Sequence, residues 1–422
     1  MLDLKFIREN FSTVQAGVSK KGAPIDLAQF PILDEKRREL LKQGEELKAL
    51  RNRVSEEIGQ AKKKGDEASA KITEMKDVGE RIKTLDDELK AVEDQLYQLQ
   101  IRIPNLPHES VPAGKSAEDN VVVKSWGEIP AFEFAPKPHW ELNEKLQIID
   151  FEGGAKIAGS FFVNFKGKGA KLARALINFM LDLHIDKHGY TEVFPPIIVN
   201  RHAMFGTGQL PKLEEDMYRI EADDLFLIPT AEVPVTNLLA NETLRSENLP
   251  IYYTAYTPCF RREAGAYGKD TKGLMRLHQF DKIEMVKFTK PETSYDEHEK
   301  LLQNAEEVLQ LLGLPYRVLL LCSGDMSFAA AKCYDLEVWA PGVKKWLEVS
   351  SCSNFEDFQA RRANIRFRPE GGGKLEFIHT LNASGLALPR TIIGIMEHYQ
   401  TDEGTIVVPE ALRKYMGCEI IK

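Results

Sequence analysis

Guanidinium groups, carboxylates and an aromatic ring crowd into two neighbouring runs of this chain. One is Cys259-Phe260-Arg261-Arg262-Glu263, the other Arg276-Leu277-His278-Gln279-Phe280-Asp281-Lys282-Ile283-Glu284. A guanidinium offers a planar fork that suits a phosphate. A phenyl ring offers a flat surface to a nucleobase, and carboxylates accept bonds from an amine or a hydroxyl. The residues flanking both runs are β-branched and aromatic, whereas 264–273 hold three glycines and mixed charges. That pattern predicts two antiparallel strands joined by a long mobile loop. Alternation along a strand puts Arg261 with Glu263, and Phe280 with Lys282 and Glu284, on one floor. Taken alone, an Arg-x-Glu pair is an ordinary surface ion pair worth about 0–1 kcal/mol.

Three other strings carry possible chemistry. Thr230-Ala231-Glu232 follows an apolar run at a strand-to-helix turn, where a threonine also serves as a helix cap. Glu348-Val349-Ser350-Ser351 ends a strand pair read over 334–340 and 345–350. Its Glu348 and Ser351 are hard oxygen donors, suited to a magnesium ion that keeps waters and binds substrate phosphates. They lack common strand parity, so joint action requires a bulge or a strand end. In His379-Thr380-Leu381-Asn382-Ala383-Ser384-Gly385-Leu386-Ala387-Leu388-Pro389-Arg390, residues Thr380, Asn382 and Ser384 share a face. Arg390 opens an apolar helix, where its charge and the free N–H groups both favour an anion. There is no G-x-x-x-x-G-K-[ST] and no G-x-G-x-x-G after a strand, which argues against a P-loop or Rossmann nucleotide site. His278 has no base-orienting neighbour and reads as structural.

These strings need elements to hold them. Leu4, Ile7, Phe11, Val14 and Val18 recur at helical spacing, predicting one short opening helix. From about 31 to 103 there is no proline after Pro31, and Leu33, Leu40, Leu47, Val54 and Ala61 follow at intervals of seven. Beyond Lys62-Lys63-Lys64-Gly65-Asp66, a turn signal, a second apolar stripe runs from Ile72 through Met75, Gly79 and Ile82 to Ile103, with a phase slip near Ile82. An antiparallel coiled-coil hairpin follows, each helix about 30 residues and roughly 45–50 Å long. Its basic residues, Lys42, Lys48, Arg51, Arg53 and the three lysines of the tip, could meet phosphates, but interleaved acids suit a scaffold as well. Residues 104–120 read as a linker, rich in turn formers. Residues 121–422 alternate helical and strand patterns, an α+β domain with an antiparallel sheet flanked by helices. Within it, 160–165 read as a strand, 171–187 as a helix, 189–199 as an edge strand broken by Pro195 and Pro196, and 292–312 as a helix.

With 422 residues, 43% of them apolar, the chain can bury a large core. Its net charge of −8 argues mildly against a general nucleic-acid binder, though local patches decide steering. The five cysteines show no Cys-x-x-Cys spacing, so neither a disulfide framework nor a zinc ribbon is indicated. No secretory signal and no apolar run of bilayer length is visible, which together with free thiols points to the cytoplasm.

Phe-Arg-x-Glu, a loop, then Arg-x-x-x-Phe resembles motif 2 of class II aminoacyl-tRNA synthetases. The longer string from Phe260 to Met285 is similar to that of bacterial-type seryl-tRNA synthetases. The helix and strand over 171–199 resemble motif 1, and 379–390 resembles motif 3, with Gly385 kept but Ala383 and Pro389 replacing two glycines. The departure leaves the local backbone geometry there open.

The resemblance implies a serine–tRNA ligase with an N-terminal tRNA-binding domain over 1–103, a linker over 104–120 and a class II catalytic domain over 121–422. It implies that the hairpin grips the long arm of the serine tRNA, with the selenocysteine tRNA left open as a second acceptor. Motif 1 implies a homodimer. Roles follow residue by residue. Arg261 would meet the α-phosphate of ATP and Arg390 the γ-phosphate, these two and Glu348 forming the catalytic set. The ATP site would comprise Arg261, Arg262, Glu263, Leu277, Phe280, Glu348, Val349, Ser350, Ser351 and Arg390. Glu348 and Ser351 would hold Mg2+, and no zinc is expected. L-serine would lie among Thr230, Ala231, Glu232, Arg261, Glu284, Asn382 and Ser384. A pocket that bonds the hydroxyl rejects alanine, while threonine must be crowded out. Two other readings stay open: a class II paralogue charging a carrier, against which the hairpin stands, and a scaffold with an inactive body, against which the arginines and glutamates stand.

Overall fold

The computed structural model describes residues 1–65, 67–264 and 272–422. Asp66 of the expected hairpin turn and 265–271 of the expected loop lie outside the described residues. The chain forms two compact units, one of Leu2–Ser19 and Ala23–Pro104, the other of Met1, Lys20–Gly22 and Asn105–Lys422.

In the first unit the single opening helix of the sequence reading is two, α1 (Leu4–Glu9) and α2 (Phe11–Lys20). The break is Asn10, which leaves helical geometry at φ −125° and bonds its side-chain amide to the Phe6 carbonyl. Helices α3 (Gln29–Lys64) and α4 (Ser69–Gln100) make the hairpin. Gly65 ends α3 at φ 82°, a left-handed cap that costs glycine no Cβ clash. At 36 residues, α3 is about 54 Å long. The stripe on α4 differs from expectation. Val78 is buried where Gly79 was placed, so Met75, Val78, Ile82, Leu85, Leu89, Val92 and Leu96 step evenly by 3 and 4. With Val78 in the seam the slip near Ile82 is gone, and the 3–3 step falls instead at Ile72–Met75–Val78, where Ile72 is exposed. Arg37–Glu93, Lys48–Asp86 and Lys71–Glu57 pairs, each 2.8–2.9 Å, tie the helices in antiparallel register.

The second unit is built on an eight-stranded sheet. Its strands are β1 (Val121–Trp126), β2 (Thr191–Glu192), β3 (Ile251–Phe260), β4 (Gln279–Thr289), β5 (Tyr316–Leu320), β6 (Lys332–Ala340), β7 (Lys345–Asn354) and β8 (His379–Ala387), in the order β1-β5-β6-β7-β8-β4-β3-β2. Every neighbouring pair is antiparallel except the short edge strand β2 against β3. Helices α5 (Lys168–Asp186), α6 (Glu232–Asn237), α7 (Ser294–Leu311) and α8 (Leu388–His398) surround it. Alternation sorts the strands. Ile283 and Met285 of β4, Leu336 and Val338 of β6, and Leu381 and Ala383 of β8 join one core with Leu176, Val308 and Ile392 of the helices. The residues between them face the opposite way.

Three local expectations change. The strand over 160–165 shrinks to Asn164–Phe165, because Phe161 takes φ 63°, which no strand accommodates. The segment 189–199 splits into β2 and a strand Ile198–Asn200 of another sheet, with the two prolines between. From Asn105 onward the segment read as a linker packs into the second unit: Asn105 Nδ2 donates to the Ala329 carbonyl (2.9 Å) and the Phe355 carbonyl (2.8 Å). Among the described residues no helix is long and apolar enough to cross a membrane.

Candidate active site

The sheet face turned away from the core floors a cleft of about 580 Å3. β4 contributes Phe280, Lys282 and Glu284, β8 contributes Asn382 and Ser384, β7 contributes Glu348, Val349, Ser351 and Ser353, and β6 contributes Cys333 and Asp335. Arg261 stands one residue past the end of β3, its Cζ 5.2 Å from the Phe280 ring centroid and its Nε 3.4 Å from the Pro229 carbonyl. Arg390 lies in the first turn of α8. Its Nη1 donates to the Glu348 carbonyl (2.8 Å) and faces Glu348 Oε2 at 3.4 Å. The two arginines, 129 residues apart in the chain, therefore line one cleft.

Two bulges shape the floor. Between β6 and β7, Leu336 pairs with Ser350 but Glu337 with Glu348, so Val349 is extra. This supplies the parity shift that Glu348 and Ser351 needed to share the cleft. Between β4 and β8, Ile283 pairs with Leu386 but Glu284 with Ser384, so Gly385 is extra. A Cβ at 385 would run into His184 Nε2, which lies 3.3 Å from the Gly385 carbonyl. Burial pushes His184 down to about 3, so the ring is neutral and donates Nε2–H to that carbonyl. The motif 3 replacements fit: Ala383 packs in the core, and Pro389 sits in the first turn of α8, which tolerates proline.

At the Thr230 end the groups are buried. Thr230 Oγ1 accepts from Lys282 Nζ (2.8 Å) and from the Glu232 N–H (3.2 Å), and donates to Glu284 Oε2 (3.1 Å). Lys282 also forms an ion pair with Glu284. Glu232 accepts from Gln359 Nε2 (2.5 Å). Burial, then the charge of Glu284, pushes the Glu232 carboxyl up to about 7. Burial also raises Glu284, and the Lys282 ammonium pulls it partway back. At the other end Asp335 is raised well above the usual carboxylate range, by burial first and Glu348 second.

The charges pair off unevenly. Glu263 meets Arg276 (2.5 Å), Glu284 meets Lys282, and Glu348 meets Arg390. Near Thr230, one carboxylate (Glu232) and one guanidinium (Arg261) have no ion-pair partner among the described residues.

Residues 1–107 match the seryl-tRNA synthetase N-terminal domain, and 215–399 match the tRNA synthetase class II core domain (G, H, P, S and T). The chain is 58% identical to a serine–tRNA ligase of Geobacter sulfurreducens over 417 residues, 99% of each protein, and 59% identical to one of Geotalea uraniireducens over the same shares. The chain belongs to the seryl-tRNA synthetase family. It is similar throughout to a solved seryl-tRNA synthetase from Pyrococcus horikoshii complexed with ATP, with a TM-score of 0.94 and 40% identity, covering 100% of this chain and 99% of that one.

Within this family member most site residues expected from the sequence reach the cleft: Thr230, Glu232, Arg261, Glu263, Leu277, Phe280, Glu284, Glu348, Val349, Ser351, Asn382, Ser384 and Arg390. Three side chains do not. Ala231 is fully buried in a separate apolar cluster. Arg262 is exposed and donates Nη1 to the Glu215 carbonyl (3.0 Å). Ser350 is buried and donates its hydroxyl to the Ser384 carbonyl (2.7 Å). Glu263 arrives by a different route from strand alternation: β3 stops at Phe260, and Glu263 enters through a left-handed turn at φ 51°. Residues given no role also line the cleft, including Lys282, Arg276, Asp335 and Gln209, while Gln359 stands behind Glu232. Asp335 lies directly across the ladder from Ser351 only because of the Val349 bulge; a regular hairpin register would put Tyr334 there, so the sequence did not mark it. Gln359, on a separate short helix, had no sequence signal.

Proposed function

We propose that this serine–tRNA ligase activates L-serine with ATP in the cleft that Arg261 and Arg390 share, then passes the seryl group to a serine tRNA. The observation that carries the reading is the uneven charge pairing: an amino acid zwitterion, ammonium to Glu232 and carboxylate to Arg261, completes it. The side-chain hydroxyl then faces Glu284, with Asn382 and Ser384 alongside. Adenine lies on Phe280 under Arg390, its amino group toward Glu263 and its edge along the backbone near Leu277.

In the first step a serine carboxylate oxygen attacks the α-phosphorus. The bond to the β-phosphate breaks and pyrophosphate leaves. In the second the 3′-terminal adenosine hydroxyl attacks the adenylate carbonyl and AMP departs. No covalent bond to the enzyme is needed. Arg261 neutralises charge at the α-phosphate and Arg390 fixes the γ-phosphate, so positioning and fixed charge lower the barrier.

The donor set fits Mg2+. Glu348 and Ser351 would supply oxygen ligands, brought to one face by the Val349 bulge, and nearby Asp335, raised by burial first and the Glu348 charge second, is a carboxyl whose ionised form a cation would favour. Among the described residues no group of three or more His, Cys, Asp or Glu side chains could hold a metal, so the ion would depend on ATP oxygens. When bound it would offset phosphate charge.

The hairpin would hold the tRNA by its backbone, in the cytoplasm, with selenocysteine tRNA a further acceptor. Two copies would pair through the segment around β2, where Phe194 is 84% exposed and Ile198 42%. ATP–pyrophosphate exchange with each amino acid, followed by charging of total tRNA, tests the reading. Serine-dependent exchange with charging supports it. Exchange without charging favours a carrier-charging paralogue, and no exchange favours an inactive scaffold.

A further inference from the structure

We propose that Lys282 sets the side-chain specificity of the serine site: it makes the subsite beside Glu284 electrically neutral and shaped for a hydroxyl, excluding an ammonium of the same size. This rests on the cleft being the serine site.

Glu232 and Glu284 are both buried, and close enough that Glu284 acts on Glu232 through its charge. A substrate with one ammonium can satisfy only one of them. Left alone, the second carboxylate would draw a second cation into the pocket, because an uncompensated buried charge is costly. Lys282, 6% exposed, removes that demand by pairing with Glu284 from the same strand face.

The hydrogen-bond inventory sharpens the point. Thr230 Oγ1 is saturated, accepting from Lys282 and the Glu232 N–H and donating to Glu284 Oε2. Lys282 has spent two of its three N–H donors, on Thr230 and Glu284. Glu284 Oε2 takes both Thr230 and Lys282, which leaves Oε1 as the unspent acceptor of a residue that lines the cleft. Between Glu284 and Lys282 themselves, one acceptor and one donor remain unspent. A hydroxyl donates to the first and accepts from the second. An ammonium can only donate, so it meets the Lys282 N–H head-on and like-charged. A methyl group serves neither, which rejects alanine. Lys282 is thus a specificity-determining residue, distinct from the groups that carry the reaction.

L-2,3-diaminopropionate, which replaces the serine hydroxyl by an amine, is the probe. Exchange kinetics are measured with serine and with this analogue for the full chain, Lys282→Met, Lys282→Arg and the double variant Lys282→Met/Glu284→Gln. In Lys282→Met the ratio of kcat/KM for diaminopropionate over serine should rise at least 100-fold, with the KM for ATP within about threefold of the parent. Lys282→Arg, which keeps the charge, should hold the parent ratio. The double variant, neutral again, should bring the ratio back toward it. The inference is overturned if Lys282→Met loses both substrates by equal factors, or if the double variant favours the diamine as strongly as the single one. Should Lys282→Met not fold, as judged by thermal melting, Glu284→Gln alone decides: it leaves Lys282 uncompensated and must lower diaminopropionate use further than serine use. If the parent does not activate serine at all, the serine reading itself has failed; an unmoved ratio in a serine-active parent sinks the Lys282 assignment alone.

Discussion

The two ends of the cleft are built on opposite electrostatic terms. At the Thr230 end Glu232, Lys282 and Glu284 are each under 10% exposed. At the Arg390 end the side chains of Arg390 and Glu348 are 31% and 46% exposed, and their charged groups meet at a loose 3.4 Å, the guanidinium being held chiefly by the Glu348 carbonyl at 2.8 Å. Charges in a low-dielectric pocket interact strongly, and a single misplaced one is expensive. Exposed ones are screened, so they can exchange partners as a triphosphate and its cation arrive. The buried end therefore suits choosing a small amino acid. The open end suits admitting a large, hydrated anion.

Breaking the link between the ends should cost most. Arg261 reaches both the serine carboxylate and the α-phosphate in this reading, so Arg261→Ala is expected to lower kcat/KM for exchange by about 1000-fold for serine and ATP together. An effect confined to one substrate would cut Arg261 out of the bridge. Glu232→Gln comes next, with a loss of about 100-fold in serine kcat/KM and little change in the KM for ATP, since a charge-assisted bond contributes about 1.5–3 kcal/mol. Equal changes for both substrates would erase the distinction between the ends.

Acidity probes the same contrast more gently. The Glu232 carboxyl is held up to about 7, so below that pH it is mostly protonated in the free protein. An ammonium binds the carboxylate, so serine binding releases a proton. Serine affinity should rise about tenfold between pH 6 and pH 7.5 and level off above, with calorimetric heats that depend on the buffer. By the same sign, this group's contribution to folding stability is greatest below the unfolded-state value of 4.5 and falls as pH rises toward 7. ATP affinity should lack the serine trend. The smallest effect is expected at the open end. Glu348→Gln should raise the magnesium concentration needed for half-maximal exchange severalfold, leaving serine binding unchanged; a shift in serine affinity would show that the ends are coupled.

What the sequence could reveal followed from periodicity. The hairpin, the β3–β4 pair and the face shared by Phe280, Lys282 and Glu284 are short-range patterns of spacing 3.5 or 2. Parity demanded a bulge or a strand end at Glu348–Ser351, and the structure supplies a bulge, at Val349. Its failures were of another kind. Whether Val78 or Gly79 enters the seam, or whether Phe161 turns left-handed, depends on which neighbours pack nearby. Ser350 was assigned to the nucleotide by its place in a string, yet with Val349 inserted it turns inward to the Ser384 carbonyl. Gln359 comes from 127 residues beyond Glu232, and no local rule links them.

The extra residue in β7 also says what kind of genetic accident the enzyme can survive. Nearly any conservative exchange along that strand keeps Glu348 and Ser351 looking the same way. Losing one codon, that of Val349, would restore a regular ladder and leave Glu348 and Ser351 two residues apart, still on one side of the sheet, so that accident spares the pairing of carboxylate and hydroxyl.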